Sequence, residues 1–223
     1  GVVQDITQKI SDSQGIQRKG LIFKLLTSLK QICNHPANFG DDTDLSPEKS
    51  GKTKLLLELL DPIVKAGEKC LIFTQYVKMI HILQKIIEKK LRIKPLIFEG
   101  SMPQKKRDSA VYEFQNHPFR QIFLISLKAG GVGLNLTAAN HVIHYDLWYN
   151  PAVENQATDR AFRIGQIKNV FVHRLITQNT FEERIDEMLK QKQSLSDMSM
   201  SVQESWITEL SNEDLAKLFM RTP

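Results

Sequence analysis

Residues 70–98 read CLIFTQYVKMIHILQKIIEKKLRIKPLIF, a stretch that begins and ends with a short unbroken apolar run. Runs of this kind, here Cys70-Leu71-Ile72-Phe73 and Pro95-Leu96-Ile97-Phe98, are typical of strands that are buried on both faces of a sheet. Between the two runs, apolar residues recur every three or four positions, which predicts an amphipathic helix. The stretch therefore predicts two parallel strands joined by a helical crossover.

Three more apolar runs continue this pattern towards the C-terminus: Ile122-Phe123-Leu124-Ile125, Val142-Ile143-His144-Tyr145 and Val170-Phe171-Val172. Strands that alternate with helical segments need right-handed crossovers, and they form a mostly parallel sheet with helices on both faces. The predicted fold class is therefore α/β. Ligands bind such sheets at the carboxyl ends of the strands, so the loops after these runs form the candidate site.

The chain is expected to divide into three parts. Residues 1–49 would form an N-terminal helical appendage and a loop, residues 50–178 the α/β lobe, and residues 179–223 a C-terminal helix and an acidic tail. In the appendage, apolar residues at helical spacing between positions 21 and 32 predict a helix that Pro36 ends.

Local sequence signals predict where other helices begin and break. Pro62 interrupts an apolar helical pattern, so we expect it to kink or restart that helix after a possible cap at Asp61. Thr180 is expected to cap a helix whose inner face carries Phe181, Ile185 and Leu189. Beyond that helix, residues 194–223 are acidic and rich in Ser and Met. They form either a regulatory or docking segment or a loosely packed terminal helix.

The composition is that of a globular protein with excess positive charge. Apolar residues make up 41% and charged residues 25% of the 223 residues, which excludes a disordered or fibrous chain. The net charge is +5, but residues 182–223 hold nine acidic against five basic side chains, which leaves +9 on residues 1–181. That excess indicates a polyanionic partner such as nucleic acid.

The same sequence predicts the compartment of the protein. No apolar run is long enough to cross a bilayer, and the polar start, Gly1-Val2-Val3-Gln4-Asp5, lacks the features of a signal peptide. We therefore expect an intracellular protein with no membrane partner, in the cytoplasm or nucleoid if it is prokaryotic, which we favour, and in the nucleus if it is eukaryotic. Cys33 and Cys70 are expected to be reduced and buried.

Two segments resemble nucleotide-binding motifs without completing them. Ser50-Gly51-Lys52-Thr53 lacks the upstream glycine of a P-loop, since Ser46 stands in its place, and we interpret the segment as a helix start. The glycines at 130, 131 and 133 lack the further glycine of a dinucleotide fingerprint, because that position holds Leu136. The six histidines and two cysteines show no paired ligand spacing, so no metal site is predicted.

The loop that contains Gly130, Gly131 and Gly133 has two interpretations. Glycines let the backbone approach a ligand closely, and successive N–H groups can converge on a phosphate oxygen as an anion-binding nest. The alternative is a sharp loop in which the glycines only satisfy unusual backbone angles. The motif taken by itself does not decide between the two.

A second group of candidate residues follows Pro151. In a helix, Gln156, Arg160 and Arg163 would lie at i, i+4 and i+7 and would share one face. Two guanidinium groups that point the same way suit a triphosphate, because each offers a fixed fork of donors and keeps its charge. The alternative is a solvated helix face on which Asp159 pairs with Arg163.

Five spaced motifs, taken in order, resemble a known family. They are Gln31-Ile32-Cys33-Asn34-His35-Pro36, Phe73-Thr74-Gln75-Tyr76, Ser126 to Asn135, Asp146 to Pro151, and Asp159-Arg160-Ala161-Phe162-Arg163-Ile164-Gly165-Gln166. The set is similar to the second motor lobe of Swi/Snf-type ATPases, which are double-stranded DNA translocases of helicase superfamily two, and it looks more like the prokaryotic members. The resemblance covers about residues 21 to 193. It implies a RecA-like lobe that closes on a first lobe, with ATP between them and DNA across both.

The resemblance also implies roles for individual residues. Arg160 and Arg163 would be the catalytic arginines that reach the triphosphate, with Arg163 as the arginine finger. Gln156, Gly130 and Gly131 would contact the nucleotide. Contacts with DNA would be made by Thr74, Gln75, Gly100, Ser101, Lys128 and Tyr149. ATP with magnesium would be held mainly by the first lobe of the same polypeptide, and the other partner would be double-stranded DNA.

This sequence departs from the family pattern in three respects. Phe162 stands where His is usual, and Tyr149 stands where Trp is commoner. The larger departure is that no segment supplies the P-loop lysine or the acidic metal-binding motif, which belong to the first lobe. We therefore predict that the chain alone neither hydrolyses ATP at a useful rate nor translocates.

Other functions stay open at this point. The chain could be a non-catalytic module that binds nucleic acid or protein, in which the arginines only contact phosphate or partner carboxylates. A strand-separating helicase is disfavoured, because many of these have Gly-Arg where this chain has Asp159-Arg160. Remodelling of nucleoprotein, recombination and transcription recycling are all compatible with the sequence as biological roles.

Overall fold

A computed structural model describes residues 2–126, 133–195 and 204–219. The strands in these ranges are β1 (Cys70–Thr74), β2 (Leu96–Phe98), β3 (Ile122–Ser126), β4 (His141–His144) and β5 (Phe171–Arg174). The helices are α1 (Val2–Ser11), α2 (Gly15–Asn34), α3 (Pro36–Phe39), α4 (Gly51–Lys65), α5 (Val77–Leu91), α6 (Gln104–Asn116), α7 (Pro151–Thr158), α8 (Phe181–Leu195) and α9 (Asn212–Phe219). Short 3₁₀ helices span Pro47–Lys49 and Glu204–Glu209.

The strands form one sheet in the order β2-β3-β1-β4-β5, and every pairing is parallel. β1 is central, with Phe73 opposite Ile125 of β3 on one side and opposite His144 of β4 on the other. All residues of β1, β3 and β4 are buried, which is why their sequences are unbroken apolar runs. The predicted α/β class with a mostly parallel sheet and helical ends is confirmed.

Alternate side chains of the strands enter two apolar cores on opposite faces of the sheet. Ile72 and Leu124 belong to the core that α4 and α5 cover. Phe123 belongs to the core under α6 and α7, where its ring centroid lies 5.1 Å from that of Phe114. Both faces are therefore covered by helices, as the alternating pattern predicted.

A third apolar core joins the two ends of the chain. Helices α2, α8 and α9, the second 3₁₀ helix and the residue directly after it contribute Ile22, Leu25, Leu26, Ile185, Leu189, Ile207, Leu210, Leu215 and Leu218. Burial of each such side chain contributes about 1.5–3 kcal/mol relative to exposure. The segment 204–219 is thus packed against the appendage, and the alternative of a loosely packed terminal helix does not describe it.

The helix ends test the local predictions. The Ser50 hydroxyl accepts a hydrogen bond from the Thr53 N–H at 3.1 Å, so the P-loop-like segment begins α4 as predicted. Pro62 lies inside α4, which continues to Lys65, so the predicted restart at Pro62 is wrong. The helix tolerates this proline because only one more turn follows the missing hydrogen bond. The cap at Thr180 is confirmed, since the N–H of the second residue of α8 donates to its hydroxyl at 3.2 Å.

Both cysteines are free, but only Cys70 is fully buried. Cys33 is half-buried, and its surroundings still raise the pKa of its thiol to about 11 because burial disfavours the thiolate. Within the described ranges, no helix is long and apolar enough to cross a membrane. The same ranges contain no group of three or more His, Cys, Asp and Glu side chains placed to hold a metal ion.

Candidate functional site

Asp146 joins the loops that follow β1 and β4 at the carboxyl edge of the sheet. Its buried carboxylate accepts hydrogen bonds from the Thr74 hydroxyl, from the backbone N–H of Gln75 at 3.1 Å and from Asn34 Nδ2 at 3.1 Å. Asn34 ends α2, so the same carboxylate also holds the appendage. Sequence analysis gave Asp146 no role, although an acidic residue directly after a buried strand is a recognisable signal.

Two of the residues predicted to grip DNA are engaged within the protein. Thr74 is fully buried, and its hydroxyl donates a hydrogen bond to the Asp146 carboxylate. The Gln75 side-chain amide donates to the Leu147 carbonyl at 2.9 Å. These side chains stabilise the loops at the edge of the sheet, and their contact with DNA stays a prediction.

Gly100 and Ser101 lie on the loop after β2, and both are exposed. The Ser101 hydroxyl donates to Glu99 Oε1 at 3.0 Å, a contact that shapes the loop without burying the serine. Their backbone is thus accessible to a partner at the same edge of the sheet as Asp146. Lys128, the charged member of the predicted DNA-binding set, lies outside the described residues, as do Gly130 and Gly131.

Tyr149 is buried in the third core and does not present its side chain to solvent. The Lys30 ammonium lies 4.3 Å from the centre of its ring, and its carbonyl oxygen accepts a hydrogen bond from Trp206 Nε1 at 2.9 Å. Burial raises the pKa of the Tyr149 hydroxyl well above its ordinary value. Apolar packing against the appendage and the tail takes the ring inward, and a role of Tyr149 in DNA binding stays a prediction.

A buried ionic cluster lies behind this edge of the sheet. Lys52 Nζ lies 2.7 Å from Glu182 Oε1 and 3.3 Å from Asn34 Oδ1, and Lys30 donates to the Leu147 carbonyl. Burial lowers the pKa of Lys30 to about 8, although the nearby Asp146 and Glu182 carboxylates oppose the shift. The cluster ties α2, α4 and α8 to the loop after β4. It also explains the P-loop-like lysine: Lys52 pairs with a carboxylate of its own chain.

The arginines do not lie on a helix face. Helix α7 begins with Pro151, capped by the Asn150 side chain, and ends at Thr158. Arg160 and Arg163 follow its end, so the expectation that they share one helical face with Gln156 is wrong. Ala157 and Ala161, on either side of the end of α7, are both buried in the core under α6.

A tight turn carries Arg163 instead, and Arg160 lies three residues before it. The Gln166 N–H donates to the Arg163 carbonyl at 2.9 Å, and Gly165 has a φ of 103°. That backbone conformation is strained for any residue with a Cβ atom, which explains why glycine occupies the third position of the turn. The sequence Arg163-Ile164-Gly165-Gln166 is therefore a defined structural element.

The side chain of Gln166 fastens this turn to the neighbouring chain. Its Nε2 shares its two hydrogens among the carbonyl oxygens of Thr137 at 3.1 Å, Ala139 at 2.7 Å and Ala161 at 3.1 Å. Its Oε1 accepts the N–H of Lys168 at 2.9 Å. One glutamine thus joins the segment before β4, the arginine turn and the approach to β5. Sequence analysis quoted Gln166 as part of a motif but assigned it no function.

The two arginines are placed for an anionic ligand. Arg160 is 4% exposed and Arg163 is open to solvent, and Arg163 Nη1 donates to the Gly133 carbonyl at 3.3 Å. Burial, followed by the nearby Arg163 charge, lowers the pKa of Arg160. Among the described residues, no carboxylate forms an ion pair with either arginine, so the alternative in which Asp159 pairs with Arg163 is not observed there, although the Asp159 charge acts on Arg160. Two neighbouring guanidinium groups without an ion pair favour an anion between them.

Gln156 is exposed near the end of α7, on the same short connection that leads to the arginines. The described part of the glycine loop begins at Gly133, whose carbonyl accepts a hydrogen bond from Arg163. The arginines and the end of the glycine loop are therefore neighbours, as the predicted nucleotide set requires. The roles of Gln156, Gly130 and Gly131 stay predictions.

His144 connects the end of β4 to the end of α7. Its Nε2 lies 2.9 Å from Thr158 Oγ1, and its ring stacks on that of Phe73 with centroids 5.7 Å apart. Burial and the Arg174 charge lower the pKa of His144 to about 4, so the ring is neutral at physiological pH. A histidine inside an apolar run offered no sequence signal for this role.

A second ionic cluster braces α7 from the opposite side. Arg174 Nε lies 2.7 Å from Glu154 Oε2, and its Nη1 lies 2.8 Å from Asp186 Oδ1. Glu154 also accepts the N–H of Trp148 at 2.9 Å. Arg174 thereby holds helices α7 and α8 to the edge strand β5.

Comparisons with known proteins identify the family. The family model of the helicase conserved C-terminal domain matches residues 51–165. Over 220 residues the chain is 49% identical to YwqA of Bacillus subtilis, which is named as an ATP-dependent helicase/translocase; the match covers 98% of this chain and 24% of YwqA. It is also 34% identical to the ATP-dependent helicase ULS1 of Saccharomyces cerevisiae, over 87% of this chain and 12% of ULS1. The chain thus spans a quarter or less of these relatives.

Solved structures agree with the sequence comparison. The C-terminal domain of a SWI2/SNF2 ATPase from Sulfolobus solfataricus superimposes with a TM-score of 0.82 at 40% identity, over 99% of this chain and 90% of that domain. The core of a Sulfolobus solfataricus SWI2/SNF2 ATPase in complex with double-stranded DNA gives a TM-score of 0.85 at 42% identity, over 99% of this chain and 46% of that one. The chain therefore belongs to the helicase conserved C-terminal domain family and is a RecA-like C-terminal lobe of the Swi/Snf type.

Proposed function

We propose that this chain is the second motor lobe of an ATP-dependent translocase of double-stranded DNA, and that it supplies arginines to an ATP–magnesium complex held mainly by a first lobe. The observation that carries the proposal is Arg163 on a glutamine-fastened turn with Arg160 close by, neither of them in an ion pair among the described residues. Arginines whose charge no ion pair neutralises are suited to an anionic ligand that arrives from outside the lobe.

Arg163 has the role of the arginine finger in this proposal. It is the exposed member of the pair, and its position on a closed turn limits the conformations that its backbone can adopt. An arginine finger stabilises negative charge that develops on the transferred phosphoryl group, and it accelerates hydrolysis by about 10³ to 10⁵. Arg160 contributes a second positive charge from a more buried position, and Gln156 helps to orient the γ-phosphate.

DNA binds, in the same proposal, across the loops at the carboxyl ends of the strands. The exposed Gly100 and Ser101 and the predicted contact Lys128 meet the phosphates of one strand, while Thr74 and Gln75 shape the loop beside them. Contacts of this kind carry affinity without sequence specificity. The similar Sulfolobus ATPase core, whose structure was solved in complex with double-stranded DNA, supports duplex as the substrate.

The lobe is proposed to be inactive without its partner. Lys52, which stands where a P-loop lysine would in Ser50-Gly51-Lys52-Thr53, is buried against Glu182 and has no access to a nucleotide. This chain covers 45% of the similar Sulfolobus core domain, so the remainder of that domain is long enough to contain a first lobe. Hydrolysis then requires both lobes to close on the same ATP.

Reconstitution tests the proposal. The purified 223-residue chain is mixed with the separately produced remainder of the motor core, and ATP hydrolysis is measured with and without duplex DNA. We expect DNA-stimulated hydrolysis only in the mixture, and none when the chain carries Arg163→Ala. Full activity with Arg163→Ala would overturn the finger assignment. A chain that binds DNA but never restores hydrolysis would support the alternative of a non-catalytic binding module.

A further inference from the structure

The C-terminal half of α5 and the residues after it concentrate positive charge. Residues 85–94 hold five basic side chains and one acidic side chain, a net charge of +4 within a body of residues 1–181 that carries +9. The basic side chains are Lys85, Lys89, Lys90, Arg92 and Lys94, which we call the α5 basic surface. Nearly half of the excess positive charge of the body thus lies in ten consecutive residues.

The cations of the α5 basic surface are free. All five side chains are exposed. Among the residues that the structure describes, none of the five takes part in an ion pair, whereas Lys49, Lys65 and Lys190 each lie within 3.1 Å of a carboxylate oxygen. An electrostatic field from unpaired exposed cations attracts a polyanion more strongly than one from neutralised pairs.

Helix stability alone does not explain this charge. Lysines in the last turn of a helix interact favourably with its macrodipole, which accounts for Lys89 and Lys90. It does not account for Lys85, more than a turn before the helix end, or for Lys94 beyond it. Arg92 even adopts a φ of 59°, a left-handed conformation in which glycine or asparagine is favoured.

The α5 basic surface borders a groove with a volume of about 390 Å³, formed between α5 and the loop of residues 43–48. The loop carries two carboxylates. Asp44 lies 3.1 Å from Lys49 Nζ, whereas Glu48 accepts the hydroxyl hydrogen of Ser46 at 2.5 Å, keeps its negative charge and interacts electrostatically with Lys90. Because Lys85, Lys89 and Lys90 line the other side, the groove keeps a net positive charge that is available to an anionic ligand.

This groove lies away from the proposed nucleotide and DNA site. Helix α5 starts at the carboxyl end of β1 and returns to the start of the parallel strand β2, so its C-terminal half lies near the opposite edge of the sheet. The described residues of the predicted DNA set, Thr74, Gln75, Gly100, Ser101 and Tyr149, are all uncharged. The α5 basic surface thus adds attraction for phosphates on a different part of the lobe.

We propose that the α5 basic surface is a second binding surface for the phosphate backbone of duplex DNA. Lys85, Lys89 and Arg92 follow at i, i+4 and i+7, so they lie along one side of the helix and its end. Residues 85–94 contain no aromatic side chain on which an unpaired base could stack, which favours duplex over single-stranded nucleic acid. The surface binds a segment of duplex separate from the segment that binds at the carboxyl ends of the β-strands.

Binding of the 223-residue chain to a short fluorescent duplex, measured by anisotropy over a series of salt concentrations, tests this proposal. The variant carries Lys85→Gln, Lys89→Gln and Lys90→Gln. The matched control carries Lys19→Gln, Lys65→Gln and Lys217→Gln, which remove the same charge from exposed lysines that are paired with carboxylates. Thermal unfolding of both variants verifies that the fold is kept.

We expect the variant to bind the duplex about tenfold more weakly at physiological salt, and the slope of log K against log salt to flatten by about 2 to 3, since each phosphate contact contributes about 0.9. The control should keep the wild-type slope. Equal slopes for the variant and the control would overturn the proposal. A second outcome would also overturn it: the wild-type chain binds polyglutamate more tightly than duplex, and the variant loses polyglutamate binding but keeps duplex binding. The surface would then bind an acidic protein segment. No nucleotide or first lobe is present, so the result is independent of the proposed ATPase role.

Discussion

The backbone N–H of Gln166 donates a hydrogen bond to the carbonyl oxygen of Arg163 at 2.9 Å, and this bond closes the turn that begins with Arg163. The Gln166 side chain holds the same turn to the Ala139 and Ala161 carbonyls. An arginine on a fastened turn loses less conformational freedom when it meets a phosphate, so more of its interaction energy remains for the transition state. The turn, and not a helix face, orients Arg163.

The first prediction concerns Gln166→Ala in the two-lobed motor. The substitution removes the amide group that contacts three carbonyl oxygens and the Lys168 N–H, which lets the turn shift. A displacement of about 1 Å at a catalytic group costs up to about 10² in rate. We expect kcat for DNA-stimulated ATP hydrolysis to fall by about 10- to 100-fold with a smaller change in KM. Steady-state kinetics of the variant measures both parameters.

A double-mutant cycle separates positioning from general damage. If Gln166 acts through Arg163, Gln166→Ala should reduce the rate no further in an Arg163→Ala background. Additive losses would contradict the positioning role. Gln115→Ala is the matched control, because Gln115 Oε1 accepts the N–H of Ala138 at 2.9 Å on the same segment but does not touch the turn. It should leave kcat within about twofold of wild type.

The second prediction concerns Gly165→Ala. Gly165 has a φ of 103°, where a Cβ atom strains the backbone by about 1–3 kcal/mol. Urea denaturation should therefore show a free energy of unfolding lower by about that amount. Gly20→Ala provides the opposite case, since Gly20 lies inside α2 with open space around it, and alanine there should stabilise by about 0.5–1 kcal/mol. A neutral Gly165→Ala would show that the turn relaxes freely.

The sequence was sufficient to predict the sheet, and the reason is local. The run Cys70–Phe73 is apolar because β1 is buried on both faces, and burial on both faces follows from its central place between β3 and β4. The same holds for the runs that became β3 and β4. Short apolar runs therefore suffice to predict the strands, and the helical segments between the runs suffice to predict their parallel pairing.

The sequence was not sufficient for the side chains of the site, because their surroundings come from distant parts of the chain. Tyr149 is covered by α2 and by Trp206 of the tail, contacts that no window around residue 149 contains. Asp146 meets Asn34, which is 112 positions away. The helical face expected for Gln156 and the arginines is wrong because α7 ends at Thr158, before either arginine.

The third prediction concerns the buried pair Lys52 and Glu182, whose charged atoms lie 2.7 Å apart. Lys52→Met leaves a carboxylate buried without its cation, which costs about 3–5 kcal/mol. Adding Glu182→Gln should recover part of that loss, because the neutral amide keeps an acceptor for the Thr177 N–H. Chemical denaturation measures all three proteins. The exposed pair Lys65 and Asp61 is the control, and Lys65→Met should cost less than about 1 kcal/mol.

The fourth prediction concerns acid stability and His144. Burial lowers the pKa of His144 from 6.5 to about 4, so between these values the unfolded chain binds a proton that the folded chain does not. The free energy of unfolding is therefore highest above pH 6.5 and falls as the pH decreases through this window. Urea denaturation at pH 7 and at pH 4 should show this loss in the wild-type chain.

His144→Gln isolates the contribution of this one residue. Glutamine cannot take up a proton, yet its side chain still offers a hydrogen-bonding partner to the Thr158 hydroxyl, which meets His144 Nε2 at 2.9 Å. Titration of the surface carboxylates lowers the stability of both proteins equally, so the difference between them belongs to His144. We expect the wild-type chain to lose about 3 kcal/mol more than the variant between pH 7 and pH 4. Equal losses would mean that the folded protein accepts a proton on His144 at its ordinary pKa, and that the link between β4 and α7 opens in acid without unfolding.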